Sequence, residues 1–290
     1  MAATARRIDG GDDHMTAEPM IVRACAKINL VLRVGGKRPD GYHELVTLIA
    51  RVSLADVLLI DTAAHTTVTC PGLPGGDTLV TRALELLCEA AGYDEGFTVH
   101  IDKRIPHGAG LGGGSADAAA SLRFANDLLP TPLIPSELTR IAGLIGSDVP
   151  ALLHDEATLA RGRGEHVEVL GELPRAYLVL AHPGQPLATR DVYAAYRPVD
   201  RPLPTTVQLP TTLDELVAIV ENDLAVPAEQ LEPACAALRE ELIAAGALAA
   251  NVSGSGSVIF GIFATEQEAA GASANLIHAK WKVTSTLGIR

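Results

Sequence analysis

The 290-residue sequence predicts an α+β protein in two halves. Three observations predict it. The first half mixes strand-like stretches with apolar-sided helical ones around a glycine-rich loop, "PHGAGLGGGSADAAA" at 106–120. The second half reads strand, helices, two strands, helix, strand, which suits an antiparallel sheet with helices on one face. Between them the composition changes near residue 172, and prolines crowd positions 183–210. The expected domains are 20–172 and 173–290. They follow a segment, 1–19, that lacks the apolar stretch of a signal peptide and is expected to be a disordered extension.

The elements follow in order. "IVRACAKINLVLRV" (21–34) is strand material with a break near Ala26 and Lys27, and "HELVTLIARVSLADVLLID" (43–61) suggests two further strands. "TVTCPGLPGGDT" is a turn region, and apolar residues at 79, 80, 83, 84, 86, 87 and 90 predict a helix over 79–91. Alternation from Phe97 to Ile101 predicts a strand over 97–102 before the loop, and a helix over 115–128 after it. "PTPLIP" is a connection, followed by a short helix over 136–145 and then "GSDVPALL". Pro174 and Pro183 bracket an apolar strand, 176–182, and the proline-dense segment after it is expected to be irregular. Helices are expected over 213–223 and 231–245. "ALAANVSGSGSVIFGIFA" gives strand, glycine turn and strand; a helix over 266–279 and a strand over 282–287 close the chain.

Composition narrows the function classes. Hydrophobic residues make up 48% and aromatic ones only 3%, so the core must be built from Ala, Val, Leu and Ile. The net charge of −12 disfavours nonspecific attraction to nucleic acid or anionic membrane. No apolar run is long enough to cross a bilayer. Cys25, Cys70, Cys88 and Cys235 form no C-x-x-C pair, and no histidine cluster has metal-ligand spacing. They read as thiols in a reducing cytosol, and a cytoplasmic location is expected.

The loop carries the chemistry. Gly108, Gly110, Gly112, Gly113 and Gly114 let backbone approach a bulky group, and the helix that follows offers free N–H groups and the positive end of its dipole. Such a loop is an anion site, most often for phosphate. It is not a Walker A loop, because Gly114 stands where that motif needs lysine. A dinucleotide G-x-G-x-x-G fits Gly108, Gly110 and Gly113, but the prolines of "LLPTPLIPSEL" spoil the parallel strand that should come next.

"PHGAGLGGGSADAAA" resembles the P-x-x-x-G-L-G-S/G-S-S/A motif of the galactokinase, homoserine kinase, mevalonate kinase and phosphomevalonate kinase family, the GHMP kinases. "AKINLVLRV" (26–34) resembles that family's N-terminal motif, and "NVSGSGSVIFGIF" (251–263) its C-terminal glycine motif. "RPDGYHEL" (38–45), with "GSDVPALL", resembles the branch that acts on a cytidine diphosphate sugar alcohol. The resemblance implies a two-domain GHMP kinase fold, with a ribosomal protein S5 domain 2-like N-terminal half and a ferredoxin-like C-terminal half, and ligands in the cleft between. It implies ATP and Mg²⁺, small-molecule substrates, no nucleic-acid or membrane partner, and a monomer or weak dimer.

Site residues follow by position. The resemblance assigns ATP to Pro106, His107, Gly108, Ala109, Gly110, Leu111, Gly112, Gly113, Gly114, Ser115 and Ala116, with Lys103 at a basic position near the nucleotide. Lys103 and Arg104 also read as surface charge. Ser115 is either a helix cap or a group facing phosphate or Mg²⁺. Asp117 suits the helix dipole. Asp148 precedes Val149-Pro150, where an extended backbone is expected, and is either a cap or an acceptor for the proton of an attacking hydroxyl. Lys27 is alone in an apolar strand, where burial without a partner is costly; the alternative is an exposed strand edge. The resemblance makes Asp148 and Lys27 the catalytic pair, so the two are expected to meet. It also implies that His43 reads a cytosine edge, with Tyr42 and Tyr193 as stacking aromatics, and that Asn29 and Thr189 touch substrate. A histidine beside a tyrosine on a strand is equally a packing feature.

Three positions depart from the family. Thr78 stands where an adenine-side asparagine is common, and Ala116-Asp117 where other members have Ser-Asn. Two rival functions remain: another GHMP kinase, for homoserine or mevalonate, against which "GYHEL" argues, and a nucleotide-binding module without catalysis, against which Lys27 and Asp148 argue.

Overall fold

The computed structural model describes residues 20–73, 78–198 and 201–287. The expected extension at 1–19 lies outside them, as does part of the turn region before Thr78. The first half runs β1 (Met20–Lys37), β2 (His43–Ala63), β3 (Thr67–Thr69), α1 (Thr78–Ala91), β4 (Gly96–Asp102), α2 (Gly113–Asp127), α3 (Pro135–Ile145), α4 (Val149–Leu152), β5 (Ala157–Gly162) and β6 (His166–Gly171). The second runs β7 (Ala176–His182), α5 (Thr189–Ala195), α6 (Leu213–Ala218), β8 (Glu221–Asn222), α7 (Ala225–Leu231), α8 (Pro233–Ala244), β9 (Ala249–Val252), β10 (Ile259–Phe263), α9 (Glu266–Asn275) and β11 (Trp281–Leu287).

β1 and β2 are the long central strands, antiparallel along most of their length. The sequence suggests two strands where β2 is one: Ser53 and Asp56 interrupt the apolar pattern and pairing with β1 skips from Arg51 to Ala55, but the strand continues through Val52, which pairs with Leu287 of β11. The break expected near Ala26 is a register shift between Cys25 and Lys27, and a second lies between Asn29 and Val31. Such bulges re-aim side chains. They fall on either side of Lys27 and Asn29. These two residues are two apart and so share one face of the strand.

In the second half, β9, β10, β7 and β11 form an antiparallel sheet. Helices α8 and α9 pack their buried residues, including Leu238, Leu242, Ala269 and Ala272, with Val179, Ala181, Ile259 and Phe263 of that sheet. The first half has its own core, where Val80, Leu84 and Leu87 of α1 and Leu122 and Ala125 of α2 meet Leu58, Ile60, Val99 and Ile101. A middle core joins them through Ile28, Leu30, Leu48, Leu178 and Phe260. The halves are also linked by strand pairing: β8 lies parallel to β1 at Val31 and Leu32, and Leu287 of β11 pairs with Val52. Buried Arg33 of β1 forms ion pairs with Asp223 at 3.2 Å and Glu221 at 3.5 Å.

The hairpin β5–β6 was not foreseen, since "ATLARGRGEHVEVLG" has few apolar residues and a strongly charged turn. The proline-dense connection contains α5, and the helix expected over 213–223 ends at Ala218, where the chain turns into β8. Val149 is helical rather than extended. Pro150 falls in the first turn of α4, where a missing N–H leaves no helical bond unmade.

Candidate active site

The glycine loop is held from two sides. Lys27 N donates to Leu111 O at 3.0 Å and Val258 N to Ala109 O at 3.1 Å, while Ser253 Oγ donates to Gly110 O at 2.9 Å. Gly110 has φ +80°, and a Cβ there would overlap the carbonyl oxygen of Ser253. The "GSGS" turn between β9 and β10 is therefore the wall against which the loop packs. Gly112, at φ +66°, is the N-cap of α2 and makes no side-chain cap bond. Ser115 is inside the first turn, not at the cap. The opening N–H groups of α2 have no helical partner, and the positive end of its dipole faces the same way.

The loop borders a cleft of about 820 Å³. Lys103, Pro106, His107, Gly108, Ala109, Gly110, Gly112, Gly113, Gly114 and Ser115 all line it. Leu111 and Ala116 do not. The Leu111 side chain is buried in the middle core and Ala116 in the first-half core, because each points away from the cleft side of the turn. Thr78 opens α1, and its neighbour Leu79 is the residue of that helix that borders the cleft.

Lys103 is not loose surface charge. Its Nζ donates to Asp56 Oδ2 at 2.7 Å and to Asp117 Oδ2 at 2.5 Å, and both carboxylates are fully buried. Asp56 Oδ1 also accepts from the backbone N–H groups of Arg104 and Ile105. Asp56 thus ties β2 to the chain entering the loop, and Lys103 ties that chain to α2. Burial raises the Asp117 carboxyl to about 8; Lys103 pulls it down, and the Asp56 carboxylate pushes it up. Arg104 is the exposed one, paired with Asp102.

At the centre of the cleft, Lys27 Nζ lies 3.4 Å from Asp148 Oδ2. The Lys27 side chain is 5% exposed and that of Asp148 35%. Asp148 occupies the N-cap position of α4, yet its carboxylate makes no cap bond. Lys27 Nζ also donates to Asn29 Oδ1 at 2.7 Å, and Asn29 Nδ2 to Thr47 Oγ1 at 2.8 Å. A Cβ at Gly254 would stand 3.3 Å from both Asn29 Oδ1 and Lys27 Nζ, so the glycine turn closes over this pair.

The opposite end of the cleft is aromatic. His43 is 5.4 Å, centroid to centroid, from Tyr193 and 5.9 Å from Tyr196. Its Nδ1 lies 3.0 Å from Gly35 O. A carbonyl only accepts, so Nδ1 carries the hydrogen and Nε2 of the neutral ring is an acceptor. Tyr193 has its phenol pushed up to about 12 by burial, with the Asp148 charge and Tyr196 adding to it. Tyr42 stands exposed at the rim, with the Arg163 guanidinium 5.2 Å from its ring centre. Thr189 lines the cleft and shares a 2.9 Å hydrogen bond with Ser255 of the glycine turn.

Sequence reasoning missed Thr47, Asp56 and Arg163. Asp56 and Thr47 carried a signal: each is a polar residue flanked on both sides by apolar ones in β2, an argument close to the one that picks out Lys27. Arg163 lies in the unforeseen hairpin. Among the described residues no group of three or more His, Cys, Asp and Glu could hold a metal ion, and no helix is long and apolar enough to cross a membrane.

A glycine cradle at a helix start, with a buried ammonium and a carboxylate beside it, defines a small-molecule kinase, and the chain belongs to the GHMP kinases. Residues 78–156 match the GHMP kinases N terminal domain and residues 211–283 the GHMP kinases C terminal domain. Within that family the chain is similar to 4-diphosphocytidyl-2-C-methyl-D-erythritol kinases. It is 41% identical to that of Rhizobium etli, over 89% of this chain and 90% of the relative. It is 39% identical to that of a Geobacter species (strain M21), over 87% and 92%. A crystal structure of 4-(cytidine 5'-diphospho)-2C-methyl-D-erythritol kinase superposes with a TM-score of 0.80 at 38% identity, over 93% of this chain and all of the other.

Proposed function

We propose that this chain transfers the γ-phosphoryl group of ATP to the 2-hydroxyl of 4-diphosphocytidyl-2-C-methyl-D-erythritol, giving the 2-phosphate and ADP. That is a step in non-mevalonate isoprenoid precursor synthesis. The observation that carries the reading is the Lys27–Asp148 pair, set between a phosphate cradle at one end of a single cleft and an aromatic pocket at the other.

Phosphoryl transfer depends on positioning and charge stabilisation. The first N–H groups of α2 hold the phosphates. Asp148, partly open to the cleft, accepts the proton of the attacking hydroxyl. Lys27 has hydrogens to spare after Asn29; one faces Asp148, and another orients that hydroxyl and offsets charge on the transferring group. His43 Nε2 accepts from the exocyclic amine of cytosine, while Tyr193 and Tyr42 offer ring faces. Uracil presents a carbonyl at that position and leaves two acceptors opposed.

Mg²⁺ fits as a passenger on the nucleotide. This ion keeps several waters and needs few protein ligands when phosphates supply the rest, which agrees with the lack of a carboxylate cage among the described residues. Ser115, on the cleft, would hold it, and the ion would neutralise phosphate charge. The enzyme is read as cytoplasmic, a monomer or weak dimer.

The test is ADP release with the cytidyl substrate, mevalonate and homoserine in parallel. Turnover only with the cytidyl substrate is expected. Turnover with mevalonate or homoserine alone would reassign the substrate, and none with any of the three would leave a binding module.

A further inference from the structure

Thr47 touches neither member of the reacting pair, yet it determines how one of them is held. Its hydroxyl donates to Val31 O at 2.7 Å, at the point where β1 shifts register. A hydroxyl has one hydrogen, so what Thr47 presents to Asn29 is a lone pair. Only the NH₂ end of the Asn29 amide satisfies it, at 2.8 Å. The other end, Oδ1, then faces Lys27 Nζ at 2.7 Å. Lys27, Asn29 and Thr47 are each 4% exposed and lie on the wall of the cleft, so each leans chiefly on the others for its hydrogen bonds.

The two ends of an amide are nearly equal in size and opposite in role. Flipped, the Asn29 NH₂ would oppose an ammonium and Oδ1 would oppose a hydroxyl lone pair. Both contacts are repulsive in a site of low polarity. The Val31 carbonyl therefore sets the direction of every hydrogen bond up to Lys27.

We propose that Thr47 is a positioning residue for phosphoryl transfer: through its bond to Val31 it fixes the Asn29 amide, and through Asn29 it aims the Lys27 ammonium at Asp148 and the acceptor hydroxyl. The proposal rests on Lys27 and Asp148 being the reacting pair. Thr47→Val keeps the shape and removes both bonds. The Asn29 amide then has no preferred orientation, and Lys27 loses a fixed acceptor. Thr47→Ser keeps the hydroxyl.

The test compares the full-length wild type with Thr47→Val and Thr47→Ser. For Thr47→Val we expect kcat to fall roughly 10- to 100-fold with both KM values within about twofold, as for a loss of alignment in the transition state alone. Thr47→Ser should stay within about threefold of wild type. A Thr47→Val enzyme with unchanged kcat, or a Thr47→Ser enzyme as impaired as Thr47→Val, overturns the proposal. A readout independent of turnover is hydrogen exchange of the Asn29 side-chain amide by NMR. Slow exchange is expected in wild type and Thr47→Ser, and exchange at least about tenfold faster in Thr47→Val; equal rates in all three overturn the relay. A wild type inactive on the cytidyl substrate would count against the assigned reaction, and the exchange rates would still decide the role of Thr47.

Discussion

Lys27 and Asp148 meet at 3.4 Å although one lies on the first strand and the other at the start of a helix that closes the first-half core. The contact is asymmetric. The ammonium is buried and tethered by Asn29, while the carboxylate is a third exposed and free of cap bonds. In the roles proposed for them, a base must reach its substrate and a charge stabiliser must not wander, and the two burial values suit those tasks. We predict that Asp148→Asn lowers kcat by about 10²-fold or more, the range for a lost general base, while ADP affinity stays within a few-fold. Steady-state kinetics with a parallel nucleotide titration check this. Unchanged kcat would remove Asp148 as the base.

His43 should separate the two substrates. With Nδ1 committed to Gly35 O, only Nε2 is available to a base edge. His43→Ala is expected to raise KM for the cytidyl substrate about tenfold or more and leave KM for ATP nearly unchanged. The wild type should also prefer the cytidine compound over its uridine analogue by about tenfold or more. Equal effects on both KM values would refute the assignment.

The loop admits no side chain at Gly110. A left-handed backbone alone costs a non-glycine residue about 1–2 kcal/mol, and here the Cβ also meets a carbonyl oxygen of the glycine turn. Gly110→Ala should lower the melting temperature and weaken ADP binding together. Gly36→Ala is the control, since a Cβ there meets nothing within 4 Å. If both variants melt alike, the packing of the two glycine motifs is not what holds the loop.

The Asp56–Lys103–Asp117 cluster should appear in the pH dependence of stability. Asp117 is raised to about 8 in the folded chain, so the native state holds a proton that the unfolded state has released. Stability from this group is complete below the ordinary carboxylate range, about pH 4, and is lost as pH rises from there to that value. Asp117→Asn cannot ionise. Its melting temperature should match wild type near about pH 4 and fall less steeply between about pH 4 and 8. Parallel curves over that range would show that Asp117 keeps its charge.

How much of this was written in the sequence differs from part to part. The glycine loop, the helix after it and the strand at Ala176–His182 follow from local rules of turn chemistry and periodicity, and they stand where those rules put them. The bulge beside Lys27 left its mark as a break in the apolar run. The pairing of β8 with β1 left none, because two residues of parallel strand carry no pattern of their own. The roles proposed for Lys27 and Asp148 rest on family resemblance, and only the folded chain sets the two side by side. Lys103 shows the limit most clearly. Its partners lie on another strand and on the next helix, and nothing in "IDKRIP" says that they are acids.

The buried guanidinium of Arg33 has a consequence for inheritance. Its counter-charges, Glu221 and Asp223, belong to the second half of the gene product, and Asp223 also accepts from the backbone of Val34 at 2.9 Å. A fragment ending after β6 would strand that cation, a loss on the order of 3–5 kcal/mol for a broken buried pair. Recombination between distant cousins at this seam must therefore carry the arginine and its two acids as one cargo, and a shuffled library that separates them should yield few soluble chimeras.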